Sequence, residues 1–333
     1  MDAFRFFASR LLGMIGVLLV LAFMVFALQR YTPADPVRVK LGANAAPALV
    51  KAERHRLGYD KPLPVQYFNY VKGLLHGNLE DSLRTRHPVT TDLANDIPAT
   101  LELTIVAMGI ALVLALILGI ASAARVRGSG ALKLVMVAGA SAPVFLLALL
   151  GLLLFYNHLH WLPSTGQTKF RNAPTGPTKF LLVDSLIHGR FDVFRDAIHH
   201  LILPAFCIAI GPAVSIGRVL RSSIVTNLRS DYVRTARAKG LREWAVLWKH
   251  TVRNSLGAAL SMTGLQVGLM FAGVVVIESI FAWPGIGFYT VQAIPDLDFP
   301  AIAGVTLFLG AAYVIINTGV EVLQGVADPR LRI

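Results

Sequence analysis

The chain has 333 residues, of which 55% are hydrophobic and only 15% charged, with a formal net charge of +12. A soluble globular chain carries nearer ~25% charged residues, so this composition excludes an ordinary soluble domain and points to a membrane protein. The excess of Lys and Arg is therefore placed against a bilayer before nucleic acid is considered as a partner.

A bilayer core needs about 20 apolar residues per helix. Six segments meet that length, at roughly 9–30, 100–124, 132–157, 200–220, 256–282 and 300–324. The first, "LLGMIGVLLVLAFMVFAL", follows Arg5 and Arg10. Its apolar run is long and no A-x-A site closes it, so it reads as a retained span rather than a secretory signal. Residues 32–98 carry nine basic and seven acidic residues, but the segment is too long for charge to hold it inside. Its stretch "LPVQYFNYVKGLLHG" has helical apolar spacing, punctuated by "GYDKPLP" and "RHPV", which predicts a small helical external segment.

The short loops set the orientation. Residues 125–133 hold Arg125, Arg127 and Lys133 with no acid, and 218–255 hold nine Lys/Arg against Asp231 and Glu243. Loop 283–299 holds no Lys or Arg, only Asp296 and Asp298. By the positive-inside rule the first two loops are cytoplasmic and the third is external. Six spans then place both termini in the cytoplasm, with Arg330 and Arg332 near the end.

Within the spans, Pro143 interrupts the third, and Pro204 with Gly211-Pro212 is expected to interrupt the fourth. Such breaks persist where neighbours or a water-filled cavity satisfy the freed carbonyls. Small residues recur at Ala111, Ala115, Gly119 and Ala123, and at Gly264, Gly268 and Ala272, spacing that lets helices approach closely. The second outer segment, 158–199, mixes "WLPSTGQ" and "APTGPT" turns with a charged stretch whose adjacent His199 and His200 start a helix at the membrane interface. "WPGIGFYT" reads as a tight turn at the outer face. Cys207, the one cysteine, is a small buried hydrophobe with no disulfide or zinc partner.

Catalytic chemistry finds no support. The dipeptide Gly-Lys does not occur, so no Walker-type nucleotide site exists, and no Ser/His/Asp or metal constellation assembles. Polar groups in the spans are few. Ser141, Gln266, Glu278 and Asn317 are the candidates to line a path, with Glu278 read as a gate or, in preference, a packing hydrogen-bond group. An ion-coupled carrier would show acids or His near mid-bilayer, and this chain has little of that.

The basic stretch "DYVRTARAKGLREWAVLWKHTVRN", 231–254, is the least membrane-like element. Ser230 or Asp231 suits an N-cap, and Gly240 is placed to end the helix in a left-handed conformation, predicting a short helix over 231–239. Leu241, Trp244, Trp248 and Val252 then follow helical spacing, predicting a second helix with one apolar side. The element lies on anionic lipid, binds nucleic acid, or fits a partner protein's groove as a knob. A glycine hinge and alanine face are not needed for lipid adsorption, which favours the knob.

"DYVRTARAKGL…VLWKHTVRNSL" resembles the cytoplasmic EAA-type loop of ABC importer permeases. The flanking sequence is similar to the B-type permease subunit of dipeptide/oligopeptide importers, a group that includes nickel and glutathione permeases. The likeness runs through "ADPVRVKLG", "RLGYDKPLPVQY", "GNLEDSLRTRHPV", "IPATLELT", "SAPVF", "HLILPA", "FAWPGIG" and "ADPRLR", nearly the whole chain in order. It departs at "RNSLGAAL", where the family often has a proline, and in a longer outer segment at 167–198.

The resemblance implies an all-α polytopic protein of about six transmembrane helices with the type I ABC importer fold. Residues 1–98 would form the first span plus external segment, and 99–333 the permease domain, with its coupling loop at about 221–255. Asp231, Tyr232, Val233, Arg234, Thr235, Ala236, Arg237, Ala238, Lys239, Gly240 and Leu241 would make a coupling helix seated in a cytoplasmic ATPase subunit. ATP and Mg would be bound by that partner, and no cofactor by this chain. The family further implies a second homologous permease as heterodimer partner, one or two ATPase subunits, an external substrate-binding protein and a bacterial cytoplasmic membrane, with no nucleic acid. The expected cargo is a di- or oligopeptide, with nickel or glutathione as the alternative.

Overall fold

The computed structural model describes residues 3–31, 36–42, 44–124 and 128–327. Arg125, Arg127, Arg330 and Arg332, which bear on orientation, lie outside the described residues. In chain order the helices are α1 (Ala3–Tyr31), α2 (Pro36–Leu41), α3 (Pro47–Arg56), α4 (Leu63–Leu75), α5 (Val89–Ala123) and α6 (Ser129–Ser141). They continue as α7 (Val144–His158), α8 (Leu181–Ile187), α9 (Phe191–Asn227), α10 (Asp231–Ala238), α11 (Glu243–Ile280), α12 (Ile286–Ala293) and α13 (Phe299–Ala327). Among the described residues there is no β-strand beyond one isolated bridge, Asp81 to Pro88.

Five helices are long and apolar enough to cross a membrane: α1, α5, α9, α11 and α13. The third span is interrupted at Pro143 as expected, into two shorter helices. Pro143 disfavours helical geometry in the residue before it, and Ala142 is extended at φ −81, ψ 142. The expected interruption of the fourth span is not found. Helix α9 runs unbroken through Pro204 and Pro212, although each proline removes the amide that would pair with the carbonyl four residues earlier. "WPGIGFYT" is likewise more than a turn, because Gly285 precedes a two-turn helix, α12.

The chain divides into two compact units, one of residues 1–97 with 285–314 and the other of 98–284 with 315–333. In the first unit, α1 leaves Leu12, Val20, Phe23 and Met24 exposed, a surface suited to hydrocarbon rather than water. The predicted external segment is helical, as α2, α3 and α4. Tyr67 packs its ring on Phe23 and Phe26 at 5.6 and 5.4 Å and donates its hydroxyl to the Leu19 carbonyl at 3.1 Å. The C-terminal end of α1 is held by Arg30, stacked over the Tyr59 ring at 4.3 Å. Val89, Leu93, Ile286, Tyr289, Ala301 and Val305 form this unit's core. Beside it, buried Asp298 accepts the Ser82 hydroxyl at 2.5 Å and the Arg84 amide at 3.1 Å, and Asp92 accepts the Tyr289 hydroxyl at 3.0 Å. These bonds satisfy carboxylates whose burial would otherwise be costly.

The second unit is organised around α9 and α11. Its core joins Leu103 and Ala107 of α5, Ala148 of α7, Leu203 and Cys207 of α9, and Met270 and Val274 of α11. The small-residue stripe of α5 packs within the chain: Ala111 and Ala115 are buried, and a Cβ at Gly119 would stand 2.9 Å from the Leu220 side chain. Gly264 makes the same close approach, its position 2.8 Å from Val320, but Ala272 at the end of that stripe is exposed.

The long segment between α7 and α9 is fastened by three carboxylates. Glu102 accepts the Leu182 amide at 2.8 Å, at the N-terminus of α8, where a negative charge is favoured. Asp196 accepts the Thr168 hydroxyl at 2.7 Å and the Lys169 amide at 2.8 Å. His200 lies beside Asp196, with Nδ1 at 3.5 Å. Asp184 accepts the Gly176 amide at 2.9 Å and the Thr178 hydroxyl at 2.7 Å.

Candidate functional site

Helix α10 is the predicted short helix, ending at Ala238 with Lys239 as its C-cap. Ser230 occupies the N-cap in extended geometry, but its hydroxyl donates to the Asn227 carbonyl at 2.6 Å and gives no side-chain cap. The far end closes as the sequence predicts. Gly240 has φ +77, its amide donates to the Arg237 carbonyl at 2.9 Å, and the Leu241 amide donates to the Ala236 carbonyl at 3.3 Å. Those two bonds are the Schellman pair, which satisfies carbonyls the helix end leaves open.

One side of α10 is anchored. Val233 and Ala236, three residues apart, are buried against Val246. Ala236 thus faces into the chain, and the exposed side carries Tyr232, Arg234, Thr235, Ala238 and Lys239. Arg237 reaches across the glycine turn to Glu243 with two bonds of 2.8 and 3.1 Å, a bidentate geometry that fixes the turn. Being solvent-exposed, the pair contributes orientation rather than much stability.

The second helix departs from expectation. Its start, Glu243–Ala245, is α-helical, but Val246–Val252 is a π-helical turn. The wider turn shifts the register by one residue, so Val246, Thr251 and Val252 are buried. Trp244 is left 68% exposed and Trp248 41%, their rings edge to face at 5.3 Å. Of the predicted apolar side, Val252 alone is buried, and Leu241 joins the two tryptophans outside. The product is a rigid projection with Tyr232, Leu241 and two tryptophans among basic residues. Among the described residues no group of three metal-ligand side chains gathers here, and what the element presents is exposed surface.

The second feature is a cavity of about 360 Å³ at the α6–α7 break, walled by α9 and α11. Ser141 and Gln266 both line it. Ser141 donates its hydroxyl to the Val137 carbonyl at 2.8 Å, and Gln266 is 7% exposed. Two other sequence candidates are placed elsewhere. Glu278 is fully buried and accepts the Thr100 hydroxyl at 2.6 Å, and half-buried Asn317 of α13 does not line the cavity. Sequence reasoning missed Arg218, an exposed residue of α9 that lines the cavity. Its signal was a cation inside a span-length helix, read only as one charge of the basic loop.

Residues 111–333 match the family described as "Binding-protein-dependent transport system inner membrane component", and residues 3–104 match the corresponding N-terminal family. The chain is 40% identical to the di/tripeptide transport system permease protein of Pseudomonas aeruginosa (strain UCBPP-PA14), over 98% of both chains. It is 39% identical to the probable D,D-dipeptide transport system permease protein of Escherichia coli (strain K12), over 97% of this chain and 96% of the relative. The dipeptide transport system permease protein of Alkalihalophilus pseudofirmus is 37% identical over 97% of this chain and 98% of its own. With the likeness running from end to end, the chain belongs to the family of inner-membrane components of binding-protein-dependent transport systems.

Proposed function

We propose that the chain is the transmembrane permease subunit of an ATP-driven importer of di- and oligopeptides. The observation that carries this is the end-to-end similarity to dipeptide permeases, and an exposed short helix closed by a glycine turn, α10, supports it. In this reading Asp231 to Leu241 sit in the groove of a cytoplasmic ATPase subunit, and closure of that subunit is transmitted through α11 to the spans. ATP and Mg are bound by the partner. A second, homologous permease and an external substrate-binding protein complete the assembly in the bacterial cytoplasmic membrane. Both termini and α10 face the cytoplasm.

Residues 1–98 serve as first span and external segment and 99–333 as the permease domain. Ser141 and Gln266 belong to the path, whereas Glu278 and Asn317, outside the cavity lining, act as packing groups. The test is uptake of a labelled dipeptide by proteoliposomes holding the co-purified assembly. Uptake should need ATP and be lost in Gly240→Trp while the assembly still inserts; full transport by that variant would sink the docking role.

A further inference from the structure

The cavity at the α6–α7 break carries more chemistry than a packing defect. Gln266 is more than nine-tenths buried, lines the cavity, and makes no hydrogen bond within the described chain. Its carboxamide has no partner among the described residues and keeps its accessible surface on the cavity, so its hydrogen bonds are left for whatever polar group enters there. Val144, which also lines the cavity, opens α7, so its amide has no acceptor within the helix. The carbonyl of Ile208, another lining residue, has lost its helical partner because residue 212 is proline. Arg218 supplies a guanidinium at the same wall. Among the described residues no Asp, Glu or His lines the cavity, and its sulfur groups are the Cys207 thiol and the Met270 thioether.

We infer that this cavity is a binding stop for a small peptide, resting on the importer reading above. The free α-carboxylate is held by Arg218 and the N-terminal end of α7, and a backbone amide by Gln266. A guanidinium paired with amide donors fits a carboxylate. The carboxamide both donates and accepts, which matches a peptide group. The volume is at the small end of ligand pockets, which span about 300–1,000 Å³, and so favours short peptides. The absence of acid or histidine ligands sets the site against a divalent cation.

Occupancy can be read in the assembled transporter in nanodiscs. A Leu269→Cys variant in a Cys207→Ala background places a thiol at an exposed lining position. Its alkylation by a small maleimide should slow at least threefold with saturating dialanine and not with dialanine amide or NiCl2. Adding Arg218→Ala or Gln266→Leu should abolish the protection, and Arg218→Lys should restore part of it. Equal protection by the amide, or protection retained in Arg218→Ala, overturns the carboxylate assignment, as does protection by NiCl2 alone. If dialanine does not protect although the wild-type assembly imports it with ATP, the site is wrong and the peptide reading stands. If wild type imports no dipeptide, the peptide reading itself fails.

Discussion

Thr251 donates its hydroxyl to the carbonyl of Val246, five residues earlier, at 3.1 Å. The bond lies within the π-turn Val246–Val252, whose wider backbone register decides which side of the loop is anchor and which is free. Val246 and Thr251 are fully buried, whereas Trp244 projects. Val246→Ala should therefore cost about 2 kcal/mol, the transfer free energy of a buried valine side chain. It should also loosen α10, whose Val233 and Ala236 rest on it. Trp244→Ala should change stability by less than ~0.5 kcal/mol, as for an exposed position. Thermal unfolding in detergent compares the two. Equal losses would mean that the loop has the α-helical register, with the tryptophans packed inside.

What was legible in the sequence divides along a physical line. The spans and α10 follow from local signals: apolar runs of bilayer length, and a glycine whose positive φ ends a helix. The break before Pro143 is local too, because a proline restrains its own predecessor. Nothing local announces the π-turn, so the helical spacing of Leu241, Trp244, Trp248 and Val252 does not tell that Val252 alone of the four is buried. The passage of α9 through Pro204 and Pro212 depends on what neighbours do with the freed carbonyls. The cavity was hidden for the same reason. Ser141, Gln266 and Arg218 lie on three helices, and only their convergence makes a site.

The Gly119–Leu220 approach is tight enough to be tested by exchange. A Cβ at position 119 would lie 2.9 Å from a Leu220 methyl and 3.2 Å from the Gly217 carbonyl. Gly119→Ala should cost about 1–3 kcal/mol through overpacking. Gly109→Ala, with open space around it in the same helix, should be near neutral. Shortening the obstructing side chain, as Gly119→Ala/Leu220→Ala, should recover part of the loss relative to the sum of the single variants, a coupling characteristic of direct contact. Strict additivity in unfolding measurements would show that α5 and α9 do not meet at this point.

Asp184 gives the segment between α7 and α9 a defined acid sensitivity. Burial alone would raise its carboxyl pKa, but the Thr178 hydroxyl and the Gly176, Thr178 and Lys179 amides outweigh it and hold the group below its ordinary 3.8. The carboxylate therefore stabilises the fold above that ordinary value, and the contribution is lost as pH falls through the lowered one. Gly176 is needed for this arrangement, since a Cβ there would meet the carboxylate itself. In Asp184→Asn one acceptor oxygen becomes a donor facing other donors, a loss of about 1–3 kcal/mol. At neutral pH, trypsin should then cut after Lys179 at least several-fold faster than in wild type. Below pH 4, pepsin cleavage beside Phe180 should accelerate in wild type as pH drops, and much less in the Asn variant, which has already lost the charge. An unchanged rate at Lys179 would mean that the loop is held by Leu181, Val193 and Ala197 packing alone, and that the carboxylate merely accompanies it.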